Sequence, residues 1–284
     1  MTSPAVVRTP AELRALGRSI AFVPTMGALH DGHVQLMKHA RPLGETLVAS
    51  IFVNPTQFGP GEDFSEYPRT FDADLERCSE AGVDVVFAPS VETLYPEELD
   101  GAITVDPGPL GTILEGKTRP THFRGVLTVV AKLFGLVRPD VAVFGEKDYQ
   151  QLTLIKQMNE TLCLGIDVQG CPTVRDADGL AMSSRNAYLT PEQRAQAPAL
   201  YAALTAGVAA APGGADAVLA AAHGVLGSAP GIELDYLALT DANLGEPQPG
   251  DDARLLVAAR VGKPRLLDNI HLTLPTNPTN HGGN

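Results

Sequence analysis

The chain has 284 residues and a formal net charge of −12, with 44% hydrophobic and 19% charged residues. This is the composition of a globular protein large enough for two domains. The acidic balance excludes a general nucleic-acid-binding surface, which needs clustered positive charge. It still permits a local cationic site for an anionic small molecule.

The sequence carries no pattern for a disulfide framework, a zinc site, secretion or membrane insertion. The three cysteines are odd in number and form no Cys-x-x-Cys pair, so we expect reduced thiols in a cytoplasmic protein. Residues 1–10 have no basic segment followed by an apolar one. The longest charge-free stretch, 195–215, is interrupted by Pro198 and Pro212 and predicts a buried helix that does not span a membrane.

Apolar strand-type runs alternate with helical patterns in the first part of the chain. The predicted strands are 20–23, 47–53, 83–88, 141–144 and 166–170, and the predicted helices include 32–41, 124–137 and 148–162. This alternation predicts βαβ crossovers and a Rossmann-like, doubly wound parallel sheet. Ligands bind such sheets at the carboxyl ends of the strands, where His30, Asn54, Gly145 and Lys147 are expected.

The pattern changes after Pro172. Thr190-Pro-Glu-Gln193 is a capping box with proline at the first helical position, so a helix is predicted to begin there. A helix near 216–226 and strands at 233–239 and 253–261 follow. These elements predict three segments: a Rossmann-like domain over 1–172, a smaller α+β domain acting as a lid over 173–274, and a disordered tail over 275–284.

The segment 20–33 passes from an apolar strand into a His-x-Gly-His turn at the start of a predicted helix. Helix N-termini favour anions, and imidazoles there add hydrogen-bond donors, with positive charge if they are protonated. Two incidental histidines or half of a zinc site are the alternatives for His30 and His33. The preceding Pro24–Gly27 turn, with no third metal ligand nearby, favours contact with nucleotide phosphates.

A second polar segment, 144–151, lies where a predicted strand ends and a helix begins. Gly145 permits close approach of a ligand, Lys147 is a mobile charge suited to phosphate, and Asp148 accepts hydrogen bonds from ribose hydroxyls. A solvated helix start is the alternative. In 182–186, two serines and Arg185 form a loop that can wrap a triphosphate, although alone it would be an ordinary polar turn.

Neutral amides and a pair of carboxylates complete the candidate groups. Gln57 and Gln151 can bind a hydroxylated substrate without adding charge. Asp72 and Asp74 flank Ala73 at a predicted helix start, where helix capping is favoured over magnesium coordination on spacing alone. The spacing suggests no Ser/His/Asp or Cys/His nucleophile. Attack of a substrate carboxylate on the α-phosphate of ATP needs none, since alignment and charge stabilisation suffice.

Together these segments closely resemble the pantoate–β-alanine ligases, and the similarity is collinear over about residues 3–271. The segments that carry it are 22–33, 51–58, Tyr67-Pro-Arg-Thr70, His122-Phe-Arg-Gly-Val126, 144–151, Met182-Ser-Ser-Arg-Asn186 and 265–270. The resemblance implies a nucleotidyltransferase-type Rossmann-like fold, related to aminoacyl-tRNA synthetases with HIGH and KMSKS motifs.

The resemblance also implies a two-step reaction. Pantoate and Mg·ATP give pantoyl adenylate and pyrophosphate, and the amine of β-alanine then attacks the adenylate to give pantothenate and AMP. The family is typically a cytoplasmic homodimer in the pathway to coenzyme A. The expected partners are therefore ATP with Mg²⁺, pantoate, β-alanine and a second copy of the chain, with no nucleic acid and no membrane.

Site residues follow from the same resemblance, with His30, His33, Lys147 and Arg185 as the catalytic set. The implied ATP-binding residues are Pro24, Thr25, Met26, His30, His33, Gly145, Lys147, Asp148, Val174, Met182, Ser183, Ser184 and Arg185. Met26, Gln57 and Gln151 are implied for pantoate. The serine loop lacks the KMSKS lysines, so Arg185 must supply its charge, and Ala73 interrupts the acidic stretch, which leaves Asp74 as the candidate magnesium ligand.

Two other functions remain open on the sequence. A nucleotidyltransferase acting on a phosphate-bearing substrate would need a further cationic pocket, whereas Gln57 and Gln151 are neutral. A non-catalytic nucleotide-binding protein would be marked by loss of a phosphate-contacting residue, yet His30, His33, Lys147 and Arg185 are all present.

Overall fold

The computed structural model describes residues 3–15, 17, 19–59, 64–97 and 103–276. The chain divides into two compact units between Val174 and Arg175. The binding roles predicted for the two domains stay predictions. Most of the predicted tail, residues 277–284, lies outside the described residues.

Strands and helices alternate along the first unit. In chain order they are β1 (Ala5–Val7), α1 (Pro10–Leu13), β2 (Ile20–Thr25), α2 (Asp31–Ala40), β3 (Thr46–Ile51), α3 (Phe71–Glu80), β4 (Val85–Phe87), α4 (Val91–Leu94), α5 (Glu115–Thr118), α6 (His122–Val137), β5 (Val141–Gly145), α7 (Tyr149–Thr161) and β6 (Asp167–Cys171). Short 3₁₀ turns at Pro55–Gln57 and Glu146–Asp148 follow β3 and β5.

The strands form one parallel sheet in the order β1-β4-β3-β2-β5-β6, which confirms the predicted fold class. From β2 the chain moves outward to β3 and β4 on one side, and later to β5 and β6 on the other. Ala21 and Phe22 of β2 pair with Val141 and Ala142 of β5. The order of the strands therefore reverses between β2 and β5, where doubly wound sheets bind their ligands.

Helices cover both faces of this sheet, as the continuous apolar runs predict. Alternate residues of β2 point to opposite faces: Phe22 packs with residues of α6 and α7, and Val23 packs with residues of α2 and α3. Both side chains are fully buried. This two-sided packing fixes the positions of the carboxyl ends of the strands.

The first strand is absent from the prediction. Ala5–Val7 pairs in parallel with Val85–Phe87 at the edge of the sheet. Three apolar residues are too few to show a period, so only tertiary pairing reveals this strand. Its partner β4 is also shorter than the predicted 83–88, because the residues on either side of it lie outside the ladder.

The second unit is an antiparallel sheet packed against helices. Its elements are α8 (Pro191–Gln196), α9 (Ala199–Ala210), α10 (Ala215–Ser228), β7 (Ile232–Asp241), β8 (Asp252–Val261) and β9 (Arg265–Thr273). The strand order is β7-β8-β9. The capping box forms as predicted, since the Thr190 hydroxyl accepts from the Gln193 N–H. Among the described residues, no helix combines the length and the apolar character needed to cross a membrane.

The single helix predicted over 195–215 is wrong. Three helices and a 3₁₀ turn share this stretch: α8 ends at Gln196, α9 runs over Ala199–Ala210, and α10 begins at Ala215. Pro198 has no N–H to donate and its ring disfavours continuation of the preceding helix, so α9 starts anew immediately after it.

The three cysteines occupy different environments. Cys78 in α3 and Cys171 at the end of β6 are buried, whereas Cys163 is exposed just after α7. Burial raises the pKa of the Cys78 thiol to about 12 and also raises the pKa of Cys171. Both buried thiols therefore stay protonated at neutral pH.

Two glycines of α6 provide a matched test of packing. A Cβ at Gly125 would overlap the carbonyl oxygen of Thr56, whereas a Cβ at Gly135 would meet nothing within 4 Å. Gly125→Ala is expected to lower the free energy of unfolding by about 1–3 kcal/mol through overpacking. Gly135→Ala should raise it by about 0.5–1 kcal/mol, because alanine loses less backbone entropy in a helix. Urea unfolding of both variants measures this, and equal effects would contradict the close approach of α6 to Thr56.

Candidate active site

Two histidines cap the N-terminus of α2 reciprocally. The Nδ1 atom of His30 accepts from the Gly32 N–H at 3.1 Å, and the Nδ1 atom of His33 accepts from the His30 N–H at 3.3 Å. The ring centroids lie 4.1 Å apart with the planes tilted by 47°. The spacing of three residues thus produces a capping box in which imidazoles replace the usual hydroxyl and carboxylate.

The cap fixes the tautomer of both rings. A nitrogen that accepts a hydrogen bond carries no proton, so a neutral imidazole in this arrangement has its proton on Nε2. Neither Nε2 atom has a hydrogen-bond partner among residues 3–15, 17, 19–59, 64–97 and 103–276. Each ring therefore offers one N–H donor to a ligand.

Both imidazoles are neutral at physiological pH. Burial, followed by the charges of His30 and Lys147, lowers the pKa of His33 to about 3. Burial and then the Lys147 ammonium also lower the pKa of His30. The positive charge that the sequence analysis allowed for these rings is therefore absent near neutral pH, and their contribution is donation by neutral N–H groups.

The main-chain N–H groups of this junction differ from the expectation for a helix N-terminus. Those of Gly27 and His33 donate to the Thr25 hydroxyl and to the His30 carbonyl. The N–H groups of Ala28 and Leu29 donate to a buried carboxylate, described below. Because these donors are used within the protein, the Nε2 atoms of the two half-buried histidine side chains are the hydrogen-bonding groups left for a ligand here. Pro24 and Thr25, predicted at the nucleotide, form the end of β2.

The end of β5 brings a cationic group to the same place. Lys147 lies in the 3₁₀ turn after β5, and its Nζ atom is 3.0 Å from Oδ1 of Asp148. Its ammonium acts on the titration of both His30 and His33, so the three predicted groups share one electrostatic environment. A Cβ built on Gly145 would meet nothing within 4 Å, so the space around its α-carbon is open.

Beyond the end of β3, a buried turn presents the Gln57 amide. Oε1 of Gln57 accepts from Nδ2 of Asn54 at 3.1 Å, while Nε2 lies 2.9 Å from the sulfur of Met26. The structure thus brings together Met26 and Gln57, two of the residues predicted for pantoate. With Oε1 already bonded, Gln57 is oriented to act as a donor. The amide of Gln151, in the first turn of α7, makes no hydrogen bond to another residue that the structure describes.

The groups that hold this turn were missed as site-building residues. The Tyr95 hydroxyl donates to Oδ1 of Asn54 at 2.8 Å. The carbonyl oxygen of Gln57 lies 3.0 Å from Nδ1 of His122 and accepts from Arg119. His122 belongs to the segment 122–126, which only its family resemblance marks in the sequence. Its role depends on α6 docking on the turn, which no local pattern reveals.

Asp74, the candidate magnesium ligand, lies in α3 and is only 1% exposed. Its Oδ1 accepts from the Leu29 N–H at 2.8 Å, and its Oδ2 accepts from the Ala28 N–H at 3.1 Å. The structure groups no three His, Cys, Asp or Glu side chains suitable for a metal within the residues it describes. A carboxylate engaged in this way does not fit a protein-held magnesium site.

The serine segment belongs to the second unit, which begins at Arg175. The Ser183 hydroxyl accepts from the Arg185 N–H at 3.2 Å and caps the 3₁₀ turn Ser184–Tyr188. In the part of the chain that is described, the Arg185 guanidinium has no ion-pair or hydrogen-bond partner. Met182 is half-buried, and Val174 ends the first unit.

The chain leading into this segment is firmly held. Arg175 pairs with Ala181 in an antiparallel bridge. Its guanidinium donates to both carboxylate oxygens of Asp268 in β9 and stacks 4.0 Å from the ring centroid of Tyr201. The serine segment therefore starts from an anchored hairpin.

The depressed pKa of His33 predicts a pH dependence of stability. In the unfolded chain this group titrates near 6.5, and in the folded chain near 3, so only the unfolded state gains its proton between these values. The free energy of unfolding should therefore fall as pH decreases from 6.5, by up to about 1.4 kcal/mol per pH unit. His33→Asn, which keeps an acceptor, should reduce this slope in urea titrations, whereas His39→Asn at an exposed position of α2 should not. An unchanged slope in His33→Asn would refute the assignment.

Known proteins resemble the chain over almost its whole length. The family model for pantoate-beta-alanine ligase matches residues 2–271. A pantothenate synthetase from Nocardioides sp. (strain ATCC BAA-499 / JS614) is 57% identical, covering 94% of this chain and 82% of that protein. One from Thermobifida fusca (strain YX) is 54% identical, covering 96% and 97%.

Solved structures agree with the sequence comparisons. The crystal structure of pantothenate synthetase from Thermus thermophilus has a TM-score of 0.88 and 48% identity, covering 94% of this chain and 98% of that one. A pantoate-beta-alanine ligase from Francisella tularensis, complexed with beta-gamma ATP and beta-alanine, has a TM-score of 0.78 and 33% identity, covering 94% and 97%. The chain therefore belongs to the pantoate–β-alanine ligase family.

Proposed function

We propose that this enzyme condenses pantoate with β-alanine at the expense of ATP, giving pantothenate, AMP and pyrophosphate through a pantoyl-adenylate intermediate. The observation that carries the proposal is the capped histidine pair beside Lys147 at the reversal of strand order in the sheet. The identity of the substrates is inferred from membership of the ligase family.

In the first step, a carboxylate oxygen of pantoate attacks the α-phosphorus of ATP. A new P–O bond forms, and the bond to the bridging oxygen breaks with release of pyrophosphate. The Nε2–H groups of His30 and His33 donate to phosphate oxygens, and the Lys147 ammonium offsets the charge that develops on the leaving group. Asp148 and Gly145 contact the ribose. No enzyme nucleophile takes part, so binding geometry carries the catalysis.

In the second step, the free amine of β-alanine attacks the acyl carbon of the adenylate. The C–N bond forms, AMP departs with the electron pair of the acyl–oxygen bond, and the ammonium intermediate loses a proton. Water competes with the amine for this acyl carbon. Burial of the intermediate therefore favours pantothenate over hydrolysis.

Pantoate occupies the pocket formed by Met26, Gln57 and Gln151. The Nε2 atom of Gln57 is the donor that the Asn54 contact leaves facing Met26, so it pairs with an oxygen acceptor of pantoate. Gln151 supplies a second neutral amide. Neutral groups suit hydroxyls and a single carboxylate better than a phosphate, which would call for additional positive charge.

The residues of the serine segment are the candidates that the second unit offers for ATP binding. We assign Ser183, Ser184 and Arg185 to the phosphates, with Arg185 supplying positive charge, and the backbones of Val174 and Met182 to adenine. Pro24, Thr25 and Met26 flank the nucleotide at the end of β2. Magnesium enters as Mg·ATP, a substrate complex. The enzyme acts in the cytoplasm as a homodimer, as is typical of the family.

Pyrophosphate release from Mg·ATP and pantoate, measured with and without β-alanine, tests the proposal. We expect a pantoate-dependent burst without β-alanine and steady turnover once it is added, because the adenylate forms first and the amine consumes it. Release that ignores β-alanine, or that needs a phosphorylated substrate, would instead identify a nucleotidyltransferase. ATP binding without turnover would identify a regulatory protein.

Gln151→Ala tests the pantoate pocket. We expect the KM for pantoate to rise by about tenfold or more while the KM for ATP changes by less than about twofold, because the lost hydrogen bond is made only to pantoate. Initial rates of pyrophosphate release at varied pantoate and varied ATP measure both constants. Equal increases in the two constants would remove Gln151 from this pocket.

A further inference from the structure

A strained turn connects β2 to the histidine cap. Gly27 has φ +81° and Ala28 has φ +52°, so two successive residues occupy the left-handed region. Alanine rarely adopts this conformation, because its Cβ approaches the neighbouring backbone. Such a turn persists only where other contacts determine it.

Asp74 supplies those contacts. Its two carboxylate oxygens accept from the successive N–H groups of Ala28 and Leu29, at 3.1 and 2.8 Å. A Cβ at Gly27 would lie 2.9 Å from Oδ2 of Asp74, so the carboxylate packs directly against this glycine. The hydrogen bonds compensate for burying the charge.

Neighbouring residues fix the carboxylate and the helix that it holds. The Thr70 hydroxyl donates to Oδ1 of Asp74 at 3.2 Å, which gives a contact to the last residue of the Tyr67-Pro-Arg-Thr70 segment. One helical turn after Asp74, Arg77 pairs with Asp31 at the first position of α2 at 2.8 Å. Two side chains of α3 thus hold both sides of the histidine cap.

We infer that Asp74 is a positioning residue, which sets the place of His30 and His33 by holding the Gly27–Leu29 turn, and that it is not a ligand of magnesium. The inference rests on the proposed function, because one of its readouts is the rate at which ATP adenylates pantoate. If Asp74 were lost, the Ala28 and Leu29 N–H groups would lose their partners, and the strained turn would relax toward an ordinary conformation. The two Nε2–H donors would then move relative to Lys147.

Asp74→Asn is the main variant, and Asp72→Asn is its control, since Asp72 is an exposed carboxylate two residues earlier in α3. For Asp74→Asn we expect a loss of about tenfold or more in kcat/KM for ATP, because small displacements of catalytic groups have effects of this size. The magnesium concentration for half-maximal rate should stay unchanged. Asp72→Asn should stay within about twofold of the parent in kcat/KM, as surface substitutions usually do.

A second readout needs no activity. Histidine-selective ¹⁵N labelling reports whether His30 and His33 carry their protons on Nε2. We expect that pattern in the parent and in Asp72→Asn, and altered signals from both rings in Asp74→Asn. If the parent gives no pantoate-dependent pyrophosphate release, the proposed function fails, and these signals still decide whether Asp74 positions the cap.

Three results would overturn the inference. The first is a folded Asp74→Asn protein with the kinetics and imidazole signals of the parent. The second is a raised magnesium requirement with activity restored by excess magnesium, which would make Asp74 a metal ligand.

Thr70→Val covers the case in which Asp74→Asn does not fold. We expect Thr70→Val to fold and to lose about threefold in kcat/KM for ATP, as one lost hydrogen bond would cause. The third is parental kinetics in Thr70→Val alongside an unfolded Asp74→Asn, which would leave Asp74 a role in folding alone.

Discussion

The site depends on two parallel strands that lie side by side while the chain leaves them in opposite directions. β2 continues into α2 and β5 continues into α7, so no crossover helix fills the space between their carboxyl ends. The histidine cap follows one strand and Lys147 follows the other. Residues that are more than a hundred positions apart in sequence thus share one electrostatic environment because of strand order alone.

The histidine pair satisfies two requirements that usually conflict. A group that caps a helix must accept hydrogen bonds from the backbone, whereas a group that binds phosphate must donate them. An imidazole has one nitrogen for each purpose, and His30 and His33 both use Nδ1 for the cap. The bonds that stabilise the helix end therefore also keep the proton of each ring on Nε2, where it can be donated to a ligand. Burial keeps the rings neutral.

The sequence predicted those elements that show a clear period or a cap. The strands predicted at 20–23 and 141–144, which form at Ile20–Thr25 and Val141–Gly145, the helix after Thr190 and the parallel sheet all followed from apolar runs and turn chemistry. The three-residue strand β1 was beyond such signals, whereas Pro198 and Pro212 are visible in the 195–215 stretch but the single-helix prediction did not treat them as breaks between helices. In each case, tertiary pairing or a single proline outweighed local composition.

Within the site, the sequence identified the residues more readily than their roles. His30, His33 and Lys147 were expected together, and the structure brings them together. The neutrality of the imidazoles depends on burial, and the contacts of Asp74 depend on a left-handed turn that closes onto α3. Neither is visible in residue types or spacing. For the same reason, Tyr95 is recognisable as a support of the turn that holds Asn54 and Gln57 only when two separate segments are folded together.

The contrast among the three cysteines bears on how this enzyme can be studied. The thiolate is the form that reacts with thiol reagents, and burial leaves Cys78 and Cys171 in the protonated form within the core. Of the three, Cys163 alone is exposed, just after the helix that carries Gln151. The native chain thus offers a single attachment point for a fluorophore or spin label. A label placed there would report on the turn that follows α7, with no cysteine removed.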